Sequence, residues 1–219
     1  MALTLYYHPL ASFCHKVLVA LYENNIAFEA RMIDLGAEQD RATLSALWPF
    51  CKFPVLQDHT SQRSVPESSI IIEYLDRFGE QNPMVPRNAE DALQVRLWDR
   101  ILDNHVHEPM QNIVLDRIHG SQGDMAGARA TIQTAYGLIN QQVASQPWAA
   151  GHNFSLADCA AAPALFYAHT LEAFPEHHVH LHAYFEKLIA RPSVQRVLAE
   201  AKPYFPMYPF YSAIPARFL

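Results

Sequence analysis

Glycine is scarce in this chain of 219 residues: there are seven, scattered, with no Gly-x-Gly-x-x-Gly and no P-loop spacing among them. Loops that cradle a nucleotide phosphate are therefore not supported. Charge is sparse too, at 17% of residues. Six basic and nine acidic residues precede position 79, and ten and thirteen follow it, so each part carries half of the net charge of −6. Neither part has the basic balance that a phosphate backbone demands, and no nucleic-acid partner is expected. Long apolar runs are missing. The longest uncharged apolar stretch, Cys159 to Ala168, has ten residues and contains Pro163, whereas a membrane-spanning helix needs about 20. The N-terminal MALTLYYHPL has no basic region and no cleavage site, so neither a targeting segment nor a membrane partner is expected. The three cysteines (Cys14, Cys51, Cys159) form no metal spacing, no Cys-x-x-Cys and no disulfide framework. They read as reduced thiols of a cytoplasmic protein.

What is present is apolar and periodic, with half of the residues hydrophobic. Leu3, Leu5 and Tyr7 alternate with Thr4 and Tyr6, which predicts a strand closed by Pro9. Phe13, Val17, Leu18 and Leu21 follow a helical period that ends at Asn24-Asn25. Phe28 to Met32 alternates again, and Ala37 to Leu47 predicts a helix stopped before Pro49. Pro54 to Gln57 and Arg63 to Val65 are short strands around a polar turn, and Ser69 to Phe78 carries a helical stripe. The order is β-α-β-α-β-β-α. A crossover helix makes the first two strands parallel, and a tight turn makes the last two antiparallel.

Residues 79–88, GEQNPMVPRN, read as a linker. Beyond them strand patterns stop. Ala89–His119, Asp124–Ser145, Leu156–Glu172, Leu181–Ala190 and Ser193–Ala201 are predicted helices. The fold class is thus α/β plus all-α, with domains at 1–78 and 89–219. Ser155-Leu156-Ala157-Asp158 fits an N-terminal capping box ahead of a helix apolar on every face. The run His177-His178-Val179-His180-Leu181-His182 lacks partner ligands at metal spacing, so no metal is expected. Pro203 to Leu219 holds four prolines and six aromatics. It predicts an extended tail packed on the helical domain or lining a ligand pocket.

Three segments in order, LTLYYHPLASFCHKVLVALYE from Leu3, Lys52-Phe53-Pro54-Val55-Leu56, and Pro66-Glu67-Ser68-Ser69-Ile70-Ile71-Ile72-Glu73-Tyr74-Leu75, are followed downstream by Ser155-Leu156-Ala157-Asp158. Together they resemble the soluble glutathione transferases, of bacterial type, from residue 3 to about 200. The resemblance implies a thioredoxin-like domain that binds glutathione, an all-helical domain, a homodimer, and a role in detoxification. It implies a cis Phe53-Pro54 bond whose exposed Phe53 backbone pairs with the cysteinyl unit of glutathione. Glu67 and Ser68, opening the third helix, would take the γ-glutamyl ammonium and carboxylate. Lys52 would face the glycyl carboxylate, and Phe50 matches an aromatic that reaches a partner subunit.

The thiol activator departs from the family pattern. Ala11 falls on the position that usually carries the catalytic Ser or Cys. Ser12 beside it and Tyr7 at the end of the first strand are the candidate activators, with Cys14, or helix amides and water, as further options. The resemblance implies a transferase that joins glutathione to a small hydrophobic electrophile in an apolar cleft between the domains. A glutathione-dependent isomerase and a non-catalytic glutathione or ligand binder remain alternatives.

Overall fold

The computed structural model describes residues 2–79 and 83–219. The chain divides into two compact units, 1–84 and 85–219. Residues 80–82 of the expected linker lie outside the described residues.

The first unit runs β1 (Leu3–Tyr7), α1 (Ser12–Glu23), β2 (Glu29–Met32), α2 (Glu38–Leu47), β3 (Val55–Asp58), β4 (Arg63–Pro66) and α3 (Ser68–Leu75). The sheet order is β2-β1-β3-β4. β1 pairs parallel with β2 and antiparallel with β3, and β3 pairs antiparallel with β4. The expected order and directions are therefore present, and their cause is the switch from period two to period 3.6. Leu3 and Leu5 are buried on the face they share with Tyr7. On the opposite face Tyr6 packs against the cluster of Ile33, Leu44 and Val55. α1 and α3 pack against each other.

α1 stops where its sequence allows a reversal. Asn25 takes a left-handed φ of 50°, and the amide of Ile26 reaches back to the carbonyl of Leu21 at 2.9 Å. That is the bonding of a Schellman end, with asparagine supplying the tolerance for positive φ.

The second unit is all-helical. It contains α4 (Ala89–Leu102), a π-helical turn (Asp103–His107), α5 (Glu108–His119), α6 (Ala126–Gln142), α7 (Leu156–Leu171), α8 (Val179–Ile189) and α9 (Pro192–Ala201). The single helix expected over 89–119 is thus widened in its middle. The amide of Glu108 bonds the carbonyl of Asp103, five residues back. Pro109 follows and has no N–H to continue the regular ladder. Arg100 bridges Asp99 and Asp103 across this turn, and His107 Nδ1 lies 3.2 Å from Asp103 Oδ1.

α7 is the spine of this unit, buried from Leu156 through Ala168. Its capping box is present, with the Ser155 amide donating to Asp158 at 2.9 Å. Asp158 also accepts from the Ala149 amide at 2.9 Å and the Tyr184 hydroxyl at 2.6 Å, which ties the helix start to α8. Ser155→Ala is expected to cost about 1 kcal/mol. Urea denaturation checks this, and a loss below about 0.3 kcal/mol would show that the tertiary bonds to Asp158 carry the helix start alone.

The tail is not extended. It winds through 3-10 turns at Lys202–Met207, Tyr211–Ala213 and Ala216–Phe218. Proline blocks an α-helix interior, but its fixed φ suits a short 3-10 turn, and Pro203 and Pro206 both sit inside one. Three of its aromatics pack on the helical unit, as one of the two expectations had it. Phe205 is fully buried and stacks on Phe166, Tyr208 meets Tyr167, and Phe218 sets its edge against Phe166. Arg217 closes the tail with two bonds to Glu186 at 2.8 and 2.6 Å.

Candidate active site

Strand register gathers the site at one end of the sheet. Tyr6 of β1 lies opposite Val55 of β3, and Val55 lies opposite Pro66 of β4. The end of β1, the start of β3 and the end of β4 therefore share an edge. α1 begins five residues after β1, and α3 begins two residues after β4. Both helices thus present their N-termini at that same edge.

Neither N-cap residue caps its helix with its own side chain. Ala11 is the N-cap of α1 and Glu67 the N-cap of α3, and no acidic residue lies in either first turn. Each helix opens with a serine at its first position. Ser12 is 4% exposed and Ser68 is 7% exposed, and neither hydroxyl is hydrogen-bonded among the described residues. Uncapped amides carry the positive end of the helix dipole and accept an anion readily. Lys16 joins the two starts: it is fully buried, and its Nζ donates to Ser69 Oγ at 2.9 Å. Lys16→Ala is expected to destabilise the protein by about 2–3 kcal/mol, through the lost charged hydrogen bond and the lost packing of its stem. Urea denaturation reads the loss, and a change under about 0.5 kcal/mol would show that α1 and α3 do not depend on this tie.

Between the helix starts, the Phe53-Pro54 bond is cis. The Phe53 N–H and C=O make no hydrogen bond among the described residues. Lys52 beside it is exposed. Glu67 is exposed as well, and it takes φ 68°, a left-handed conformation uncommon outside glycine.

The candidate activators fall in different places. Ser12 stands at the first turn of α1. Tyr7 continues the Leu3-Leu5 face, with its carbonyl accepting from the Ile33 amide at 2.8 Å. Cys14 is fully buried, and that burial pushes its thiol up to about 12, against the opposing bond to the His8 backbone. A thiol so held is neutral at physiological pH and unreactive. Cys14 is a core residue and drops out as a nucleophile.

Two site residues escape a periodicity reading, His8 and Lys16. The signal for Lys16 was a lone charge inside the apolar run Phe13–Leu21. His8 stacks on Phe53, with ring centroids 5.9 Å apart and planes at 18°. Burial lowers its pKa, and Asp34 opposes that effect.

Comparison with known proteins agrees with this geometry. Residues 11–77 match the glutathione S-transferase N-terminal domain, and residues 103–192 match the glutathione S-transferase C-terminal domain. A glutathione S-transferase of Silene vulgaris is 26% identical over 218 residues, covering 92% of this chain and 99% of its own. FtsZ-localized protein A of Caulobacter vibrioides is also 26% identical, over 91% of this chain and 92% of its own. The crystal structure of a Methylobacillus flagellatus glutathione S-transferase with glutathione bound superposes with a TM-score of 0.77. It is 19% identical and covers 89% of this chain and 98% of that one. With both domain matches in chain order on a thioredoxin-like unit and an all-helical unit, the chain belongs to the glutathione S-transferase family.

Proposed function

We propose that this glutathione transferase lays glutathione along the Phe53-Pro54 turn and holds its thiolate at the N-terminus of α1. The observation that carries this reading is the pair of uncapped helix starts, each opened by a buried serine, flanking a cis turn with an unpaired backbone. The Phe53 N–H and C=O pair with the cysteinyl backbone in strand fashion. Ser68 and the α3 amides take the γ-glutamyl carboxylate, Glu67 takes its ammonium, and Lys52 faces the glycyl carboxylate.

The energetics suffice without the Ser or Cys that Ala11 replaces. A free thiol with a pKa near 8.5 is only a few per cent thiolate at pH 7. Lowering that pKa by about two units needs roughly 2.7 kcal/mol in favour of the anion. One hydrogen bond to a charged acceptor supplies about 1.5–3 kcal/mol, and the helix terminus adds about 0.3–2 kcal/mol. Ser12 supplies the hydroxyl in this reading. Tyr7 would have to leave the face it shares with Leu3 and Leu5. The thiolate sulfur then attacks an electrophilic carbon of a small hydrophobic substrate. A C–S bond forms and the leaving group departs with its electron pair, by proximity and nucleophilic chemistry that need no metal.

The proposed setting is a cytoplasmic homodimer acting in detoxification. No helix among the described residues is long and apolar enough to cross a membrane. Leu93 and Leu97 are exposed along one stripe of α4. The stripe runs into an open groove of about 290 Å³ lined by Ile101, His105, Thr131, Thr134, Ala135 and Leu138. Phe50 is 71% exposed. These apolar surfaces suit a second copy, which sedimentation of the intact protein reads.

Turnover of a generic aryl halide with glutathione tests the function. Conjugate formation supports the transferase. Glutathione binding without conjugation would support the non-catalytic binder, the reading that Ala11 favours. Isomerisation of a cis-dienoic acid without conjugation would support the isomerase.

A further inference from the structure

β1 reaches α1 through the turn His8-Pro9-Leu10-Ala11. Two amides of this turn are met by His8: the Leu10 amide donates to His8 Nδ1 at 3.2 Å, and the Ala11 amide donates to the His8 carbonyl at 3.0 Å. Pro9 is buried and has no N–H, so its carbonyl is its one polar group. That carbonyl accepts from the ring of His15, six residues along the chain, with Nε2 at 2.5 Å. A carbonyl can only accept, so Nε2 of His15 carries a proton.

His15 stands one turn into α1 and is 1% exposed. Side chains of a helix lean toward its N-terminus, which carries this ring back over the turn that precedes the helix. The His15 amide meanwhile donates to the carbonyl of Ala11, the N-cap, at 3.0 Å. One residue therefore holds the connection on both sides of Leu10, with its ring at Pro9 and its backbone at Ala11. Ser12 follows directly, buried, with no capping side chain in front of it. An apolar residue would pack the place of His15 without needing a partner, whereas a buried imidazole is tolerated only when hydrogen-bonded. The bond to Pro9 is what the imidazole adds here.

We propose that His15 is a positioning residue of this enzyme: its bond to Pro9 holds the turn into α1 so that the Ser12 hydroxyl meets the glutathione sulfur. This rests on the proposed glutathione site and on Ser12 as its activator. His15 acts through Ser12 and moves no proton. Pro9, Leu10 and Ala11 set the entry into the helix, so freedom gained at Pro9 passes to Ser12, the first helical residue. A hydrogen bond weakens steeply as its distance and angle depart from the optimum, and a misplacement of about 1 Å costs up to roughly a hundredfold in rate.

A rescue and a double-mutant cycle separate positioning from mere support of the fold. His15→Met fills the space and removes the donor. His15→Gln places an amide donor near the position of Nε2. The measurement is thiolate absorbance of glutathione bound to the full chain, titrated with pH, with each substitution made in the wild type and in Ser12→Ala. His15→Met is expected to raise the bound thiol pKa by about one unit, a tenfold loss of thiolate on the acid side. His15→Gln should recover most of that shift, and glutathione affinity should change less than twofold in both. In the Ser12→Ala background His15→Met should add less than about 0.3 unit, because the hydroxyl it serves is gone. Should His15→Met not fold, His15→Asn, whose amide stops short of Pro9, reads the same shift. A wild-type pKa well below the free value that stays put without the His15 donor would overturn the role of His15 and leave the glutathione site standing. No recovery in His15→Gln, or a full further shift in the Ser12→Ala background, would make the ring structural and also overturn the role. A wild-type complex with the free thiol pKa, or no binding of glutathione, would overturn the site and His15 together.

Discussion

Ser12→Ala is expected to lower kcat/KM for glutathione conjugation at pH 6.5 by about 10- to 100-fold. The loss of one charged hydrogen bond, about 1.5–3 kcal/mol, sets that range. The effect should shrink as pH rises past the pKa of the free thiol, because glutathione then ionises without help. KM for glutathione should move less than twofold, since the proposed site gives the binding to the Phe53 turn and the start of α3. Ser12 occupies the first position of a helix whose N-cap, Ala11, offers no side chain. In the proposed site its hydroxyl and the start of the helix act on the same sulfur. The paired variant Tyr7→Phe should leave the profile unchanged. A pH-dependent loss in Tyr7→Phe with none in Ser12→Ala would move the role to Tyr7.

Glu67→Gln is expected to weaken glutathione binding by about 10- to 100-fold, or roughly 1.4–2.7 kcal/mol, at and just below the low end of the roughly 2–5 kcal/mol seen when one partner of a desolvated charge pair is removed. The low end follows from its exposure. Its φ of 68° turns the chain from β4 into α3, and no described residue pairs with the carboxylate, which leaves it available to an ammonium. Gln keeps the shape and removes the charge. Isothermal titration with glutathione reads the affinity. An unchanged dissociation constant would place the γ-glutamyl ammonium elsewhere, and raised salt should weaken the wild type more than the variant.

The framework of the first unit was legible because burial follows local period. Leu3, Leu5, Val17, Leu18 and Leu21 are all buried where the pattern puts them inside. Register then had to come from the structure: the pairing of Tyr6 with Val55 and of Val55 with Pro66 is what brings His8, Phe53 and Glu67 to one edge. The π-helical turn at Asp103–His107 was invisible to a 3.6-residue period, because one extra residue barely disturbs a stripe over 89–119. The start of α8 was missed by two residues for a similar reason. Its amides at His180 and Leu181 are capped by Asn140 from α6, forty residues away, which no local motif encodes. Lys16 and His8 belong to the same class. Their partners, Ser69 and Phe53, are distant in sequence, so a charge and an imidazole that look local prove to be tertiary contacts. The tail failed differently: proline excludes an α-helix but permits 3-10 turns, and reading only the exclusion gave an extended chain.

In the proposed mechanism the N-terminus of α1 and its donors hold glutathione as its thiolate. Titrating the absorbance of the bound thiolate against pH on the wild-type protein measures this directly. The expected bound thiol pKa is about 6.5, about two units below the value of roughly 8.5 for a free thiol. A bound glutathione that titrates at the free value would contradict it, and would leave a glutathione-binding protein that does not activate its ligand.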